Sequence, residues 1–172
     1  MSRMESGRQI ADVVATLGAE IFRSQNMQVE KAYLQHGNVS SYDHSVSVAY
    51  ISVWMARRLH IDVDMRSLVR GALLHDYFLY DWHAPDPEHK WHGFIHARKA
   101  LENAARDFDL NAIEGDVIEK HMFPLTLGPP RYKESVIVCC ADKICAILEL
   151  LHLQSMPCMV RIVEEKVSPW QR

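Results

Sequence analysis

Three features of the sequence predict an all-α fold. Apolar residues recur at intervals of three and four along most of the chain, no segment alternates convincingly with period two, and Pro and Gly gather between the periodic stretches. In chain order, Ile10, Val13, Val14, Leu17, Ile21 and Phe22 form one stripe, an N-terminal helix expected within residues 1–30 and packed on the rest. Val46, Val48, Ile51, Trp54 and Met55 form a second, with Ser40, Ser41 and Asp43 as candidate caps before it. Leu68 to Leu79 is apolar nearly all round, which predicts a helix buried on every side. Ile95, Ala97, Ala100, Leu101, Ala104 and Phe108 make an amphipathic helix over 92–108, residues 111–120 a short one, and 132–153 the last long one. Val136, Ile137 and Val138 resemble a strand locally, but the helix-favouring AILELL that follows argues against one. APDPEHKW (84–91) and FPLTLGPPRY (123–132) are loops, and 160–172 reads as a loosely held tail. With no repeat or linker, the 172 residues are expected to form a single domain whose core spans about 40–153.

Composition narrows the function classes. Hydrophobic residues make up 48% and charged residues 24%, the mix of a globular chain with one core. Nineteen basic against 22 acidic residues give a net charge of -3, which disfavours strong attraction to nucleic acid or an anionic membrane. MSRMESGRQI lacks an apolar signal core, and the apolar run around VIVCC is broken by Asp142 and Lys143, so a cytoplasmic location is expected. The four cysteines form no CxxC pair and are read as small buried hydrophobes.

The informative residues are those that do not belong in a core. His75 and Asp76 stand in LVRGALLHDYFLY, Asp142 stands in VIVCCADKICAIL, and His44 shares a helical face with Val48, Ile51 and Met55. A buried carboxylate costs several kcal/mol or more unless it is protonated, paired or bound to a cation. Plain His–Asp hydrogen bonds would satisfy these groups; a metal centre accounts for them better, because imidazole and carboxylate both ligate first-row divalent ions. Successive side chains on a helix diverge by about 100°, so His75 and Asp76 would serve different coordination positions, with Asp76 between two metals. His92 opens a helix after one loop and His121 ends a helix before the other, and both are taken as ligands. His96, on the same face as His92, is read instead as a packing or supporting group; His36, His60, His83, His89 and His152 as solvent-facing or packing residues.

The order His44, His75-Asp76, Asp142 on helices resembles the HD-domain metal-dependent phosphohydrolases over residues 40–153, and the intervening His92 and His121 resemble the two-metal branch. The resemblance implies a bundle of five or more helices around the metals. It also implies one ion held by His44, His75, Asp76 and Asp142, and a second held by His92 and His121 with Asp76 as the bridge. Met122 after His121, and the lack of a GYP motif, set the chain apart from the HD-GYP phosphodiesterases of cyclic dinucleotides. HGFIHARKALENA and EKHMFPLT…PPRYKES are similar instead to small bacterial HD proteins described as phosphohydrolases, and HD-type diadenosine-tetraphosphate hydrolases share the ligand order.

The expected activity is hydrolysis of a nucleotide or related phosphoester by a hydroxide bridging two divalent ions, with His75 and Asp76 at the reacting centre. Iron or manganese suits a His/carboxylate set without thiolate. Arg131 and Lys143 are candidate phosphate contacts, and Trp82, Trp91 and Tyr132 candidate stacking residues. Two rivals share the ligands: mixed-valent di-iron oxygenases of the HD fold, and a non-catalytic nucleotide-binding module.

Overall fold

A computed structural model describes residues 3–36, 39–80, 92–151 and 155–170. The first apolar stripe folds as three short helices, α1 (Arg3–Leu17), α2 (Ala19–Arg23) and α3 (Gln25–Val29), followed by a 3₁₀ turn, Glu30–Ala32. The break falls at Gly18, where an added Cβ would collide with the Leu73 side chain and the Val14 carbonyl. Two short strands, β1 (Leu34–His36) and β2 (Val39–Ser40), pair antiparallel; at two or three residues each they are too short to show the alternation that reveals a strand in sequence.

The second stripe becomes α4 (Ser41–Arg58), capped by Ser40, whose hydroxyl accepts from the Asp43 N–H. Next comes α5 (Met65–Leu74), in which every residue from Ser67 to Leu74 is buried. It stops at Leu74, earlier than the apolar run to Leu79 predicts. His75 is its C-cap, Asp76 lies past the end, and Leu79 takes a φ of 59° that no helix accommodates.

The remaining helices are α6 (His92–Asp107), α7 (Ala112–Lys120), α8 (Lys133–Leu150) and α9 (Ser155–Val167). Asn111 and Glu114 form a capping box at the start of α7. At Gly71 a Cβ would stand 2.8 Å from Val117, so the missing side chain lets α5 and α7 approach. The buried Arg70 fastens the same junction: its Nε donates to Glu114 at 2.6 Å and its other nitrogens reach Glu20 and the Asp109 carbonyl.

The segment expected to be a loose tail is helical through Val167. Val160, Val163 and Val167, spaced by three and four, are buried, and α9 packs against α1. One core cluster runs from Ile10 to Val167, with α4, α5, α7 and α8 packed together at its middle. Among the described residues no helix is long and apolar enough to cross a membrane.

Candidate metal centre

Five helices deliver side chains to one buried point. His44 lies in the first turn of α4, on the face that carries Val48 and Ile51 into the core. His75 and Asp76 follow α5 at its C-terminus, where leaving the helix frees the two side chains to turn independently. His121 is the C-cap of α7, His96 lies in α6, and Asp142 lies midway along α8. All six are buried, from His44 at 0% exposure to Asp142 at 9%.

They form two groups of three, each with ligand atoms within 4.8 Å of one another: His44, His75 and Asp142, and Asp76, His96 and His121. In the first, His44 Nε2 lies 3.1 Å from Asp142 Oδ1, and His75 Nε2 lies 3.7 Å from the same oxygen. In the second, His96 and His121 bring their Nε2 atoms to 2.9 Å, and Asp76 Oδ1 lies 3.3 and 3.4 Å from them. Asp76 stands between the groups, because its Oδ2 faces the other way, 3.5 Å from His75 Nε2 and 3.9 Å from that of His44.

The far nitrogens explain how the rings are aimed. His75 Nδ1–H donates to the Ala72 carbonyl and His121 Nδ1–H to that of Ile118, each at 2.8 Å. A carbonyl only accepts, so Nδ1 carries a proton, and in its neutral form each ring turns a bare Nε2 toward the centre. For His44 the anchor is Glu149, whose two carboxylate oxygens lie 3.0 and 2.9 Å from Nδ1. Such carbonyl and carboxylate anchors are the usual support of metal-bound histidines.

Electrostatics follow from this crowding. Burial disfavours charge on His44, but the adjoining carboxylates of Asp142 and Glu149 outweigh it and hold the imidazole well above its ordinary range. Burial is likewise opposed at His121 by Asp76, with the imidazole raised. Burial would push both aspartates up, yet the imidazoles hold them down: His75, His121 and His96 around Asp76, and His44 and His75 around Asp142.

These residues fit divalent ions. His75 Nε2 is buried and has no hydrogen-bond partner. The facing Nε2 atoms of His96 and His121 would set lone pair against lone pair unless a proton or a metal cation lies with them. The donors are imidazole nitrogens and carboxylate oxygens without thiolate, a set suited to zinc, iron or manganese.

The other expected site residues fall as follows. His92 begins α6, but its side chain lies outside the described residues, as do His83, His89, His152, Trp82, Trp91 and the 84–91 loop. His96, expected to be a packing or supporting group, sits within ligand distance of His121 and Asp76. Its spacing from the buried Ala100 and Ala104 is the signal that places it inward. Glu149 carries a similar signal, seven residues and two turns after Asp142. Lys143 Nζ donates to the His121 carbonyl at 2.9 Å and the Cys139 carbonyl at 3.2 Å, and its side chain remains 42% exposed. Arg131 is exposed; its backbone N–H donates to Asp116, which also accepts from Ser135. Tyr132 is exposed at the start of α8.

Fold and site together define a helical bundle, with one short hairpin, whose buried middle gathers donors suited to divalent metal. The HD domain family model matches residues 41–147, more than half of the chain and the whole span from His44 to Asp142. The chain therefore belongs to the HD-domain family, a superfamily of metal-dependent hydrolases. No curated protein and no solved structure matches it.

Proposed function

We propose that the protein is a phosphohydrolase that cleaves a nucleotide or related phosphoester at a centre of two divalent ions, iron or manganese. His44, His75 and Asp142 would hold one ion, His96 and His121 the second, and Asp76 would bridge them. His92, four residues before His96 in α6, is proposed as a further ligand to the second ion. The observation that carries this reading is Asp76, which turns one carboxylate oxygen to each group of three. Bound there, the ions would supply Lewis acidity and a water of lowered pKa.

The chain's own residues prepare the site. The Nδ1 anchors of His44, His75 and His121 fix those rings before metal or substrate arrives, so little reorganisation remains for the reaction. Burial keeps competing water away from the developing charge. Lys143, tied to the His121 carbonyl, helps set the end of α7, and its ammonium, on a half-exposed side chain, is proposed as a phosphate contact. Arg131, on the loop before α8, is proposed as a second. Hydrolysis adds the elements of water across a P–O ester bond: oxygen bonds to phosphorus, the ester bond breaks, and a proton goes to the departing oxygen.

The test is simultaneous monitoring of phosphate release and oxygen uptake over a panel of nucleotides and phosphonates with the Mn2+-loaded protein. Turnover under argon, lost in Asp142→Ala and weakened chiefly in KM by Arg131→Ala, is the expected result. Oxygen consumption stoichiometric with product, with no activity under argon, would make the protein an oxygenase.

A further inference from the structure

Glu30 is a buried acid that neither the fold nor the ligand set accounts for. It opens the 3₁₀ turn Glu30–Ala32, outside the 41–147 span of the family match, and that turn packs on α4, the helix of His44. Its exposure is 0%, and neither carboxylate oxygen completes a hydrogen bond of good geometry, although the backbone N–H of Leu79 acts on it. Among the described residues, the charges that act on it are those of Asp76 and His44, both of the metal centre. Nor does it join either group of three.

Burying a carboxyl without a partner is costly, so Glu30 burdens the metal-free chain. A nearby positive charge would reverse that sign. With Glu30 counted, four buried carboxylates surround or adjoin the centre: Glu30, Asp76, Asp142 and Glu149. Burial holds the Glu30 carboxyl well above the usual carboxylate range without metal; ionised beside two divalent ions, the four would carry the charge that matches theirs. The Asp76–Leu79 segment, which ends with Leu79 at φ 59°, is also held in a conformation that a non-glycine residue enters at a cost, so the surroundings must impose it.

We infer that Glu30 is a positioning and charge-balancing residue of the metal centre, supplied by the N-terminal segment, which destabilises the metal-free protein and strengthens its hold on divalent ions. The inference rests on the metal-centre reading and extends it to a residue beyond the ligands. One substitution should therefore act in opposite directions on two measurable quantities. Glu30→Gln keeps the side chain's shape and removes its charge. It should raise the melting temperature of the full chain in excess chelator by several degrees, and weaken Mn2+ binding by roughly tenfold or more. Glu30→Asp, which keeps the charge, should hold Mn2+ within a few-fold of the wild type.

The experiment is a Mn2+ titration of chelator-stripped wild type, Glu30→Gln and Glu30→Asp, with thermal unfolding of the same samples in chelator. Wild-type binding without any loss of affinity in Glu30→Gln would overturn the role of Glu30 and leave the metal centre standing. So would a Glu30→Gln chain that melts lower than wild type or fails to fold without metal. Loss of Mn2+ affinity in Glu30→Asp as large as in Glu30→Gln would also overturn it, because charge would not be the cause. A wild type that binds no divalent ion would remove the metal reading itself, and Glu30's role with it.

Discussion

His44, His75 and His121 are each fixed by what the far nitrogen touches, and the supporting groups should matter almost as much as the ligands. Glu149 grips His44 Nδ1 with both oxygens. Glu149→Gln is expected to lower affinity for divalent metal about 10–100-fold, read by Mn2+ titration, with the helical content of the chain kept. Within the second group, His96→Gln should lose about one of the two proposed ions per chain, measured by elemental analysis. An unchanged metal content would return His96 to the packing role its sequence position first suggests. Asp142 and Glu149 beside His44, and Asp76 beside His121, raise both imidazoles and so set the pH dependence. Both imidazoles have folded-state pKa values above their unfolded ones. Their contribution to the stability of the metal-free chain is therefore full below about pH 6.5 and is lost as pH rises through the folded values. Metal must displace the same protons. Mn2+ affinity should climb as pH rises above about 6.5 and through the folded values, while metal-free stability from these groups declines, a crossing that titration and chelator-treated melting at each pH would record.

At the scale of elements, the ends of α5 and α7 position the site, since both place a histidine at the C-cap. Their junction depends on Gly71, which sits against Val117 with no room for a Cβ. Gly71→Val should destabilise the chain by about 1–3 kcal/mol, checked by denaturant unfolding, through overpacking where α5 meets α7. Most helices were legible because buried side chains recur every three or four residues; α4, α6, α7 and α8 lie within a few residues of the expected bounds. The end of α5 was not. Apolar residues continue through Tyr77, Phe78 and Leu79, and periodicity registers burial without registering that the chain has left the helix. That ending matters to the site, because it frees Asp76 from the divergence a helix would impose on it and His75. His44, Asp142 and Asp76 stood out as polar groups among apolar neighbours. Glu30 did not, since a glutamate in a mixed segment is ordinary until packing shows it buried, and Glu149 was marked only by its two-turn spacing from Asp142.

Over the whole molecule, the centre lies where α4, α5, α7 and α8 pack against one another, so the proposed ligands also border the core. Metal should then stabilise the fold as a unit. Loading at about a thousand times the dissociation constant adds about 4 kcal/mol, and stripping should lower the melting temperature by roughly 8–16 °C for a chain of this size. The measurement that tests the central claim most directly is elemental analysis of freshly prepared protein beside Asp76→Ala. Two divalent ions per chain in the wild type, and loss of both when the bridging carboxylate is removed, are the predicted result. One ion or none in fully loaded wild type, or an Asp76→Ala chain that keeps both, would contradict it.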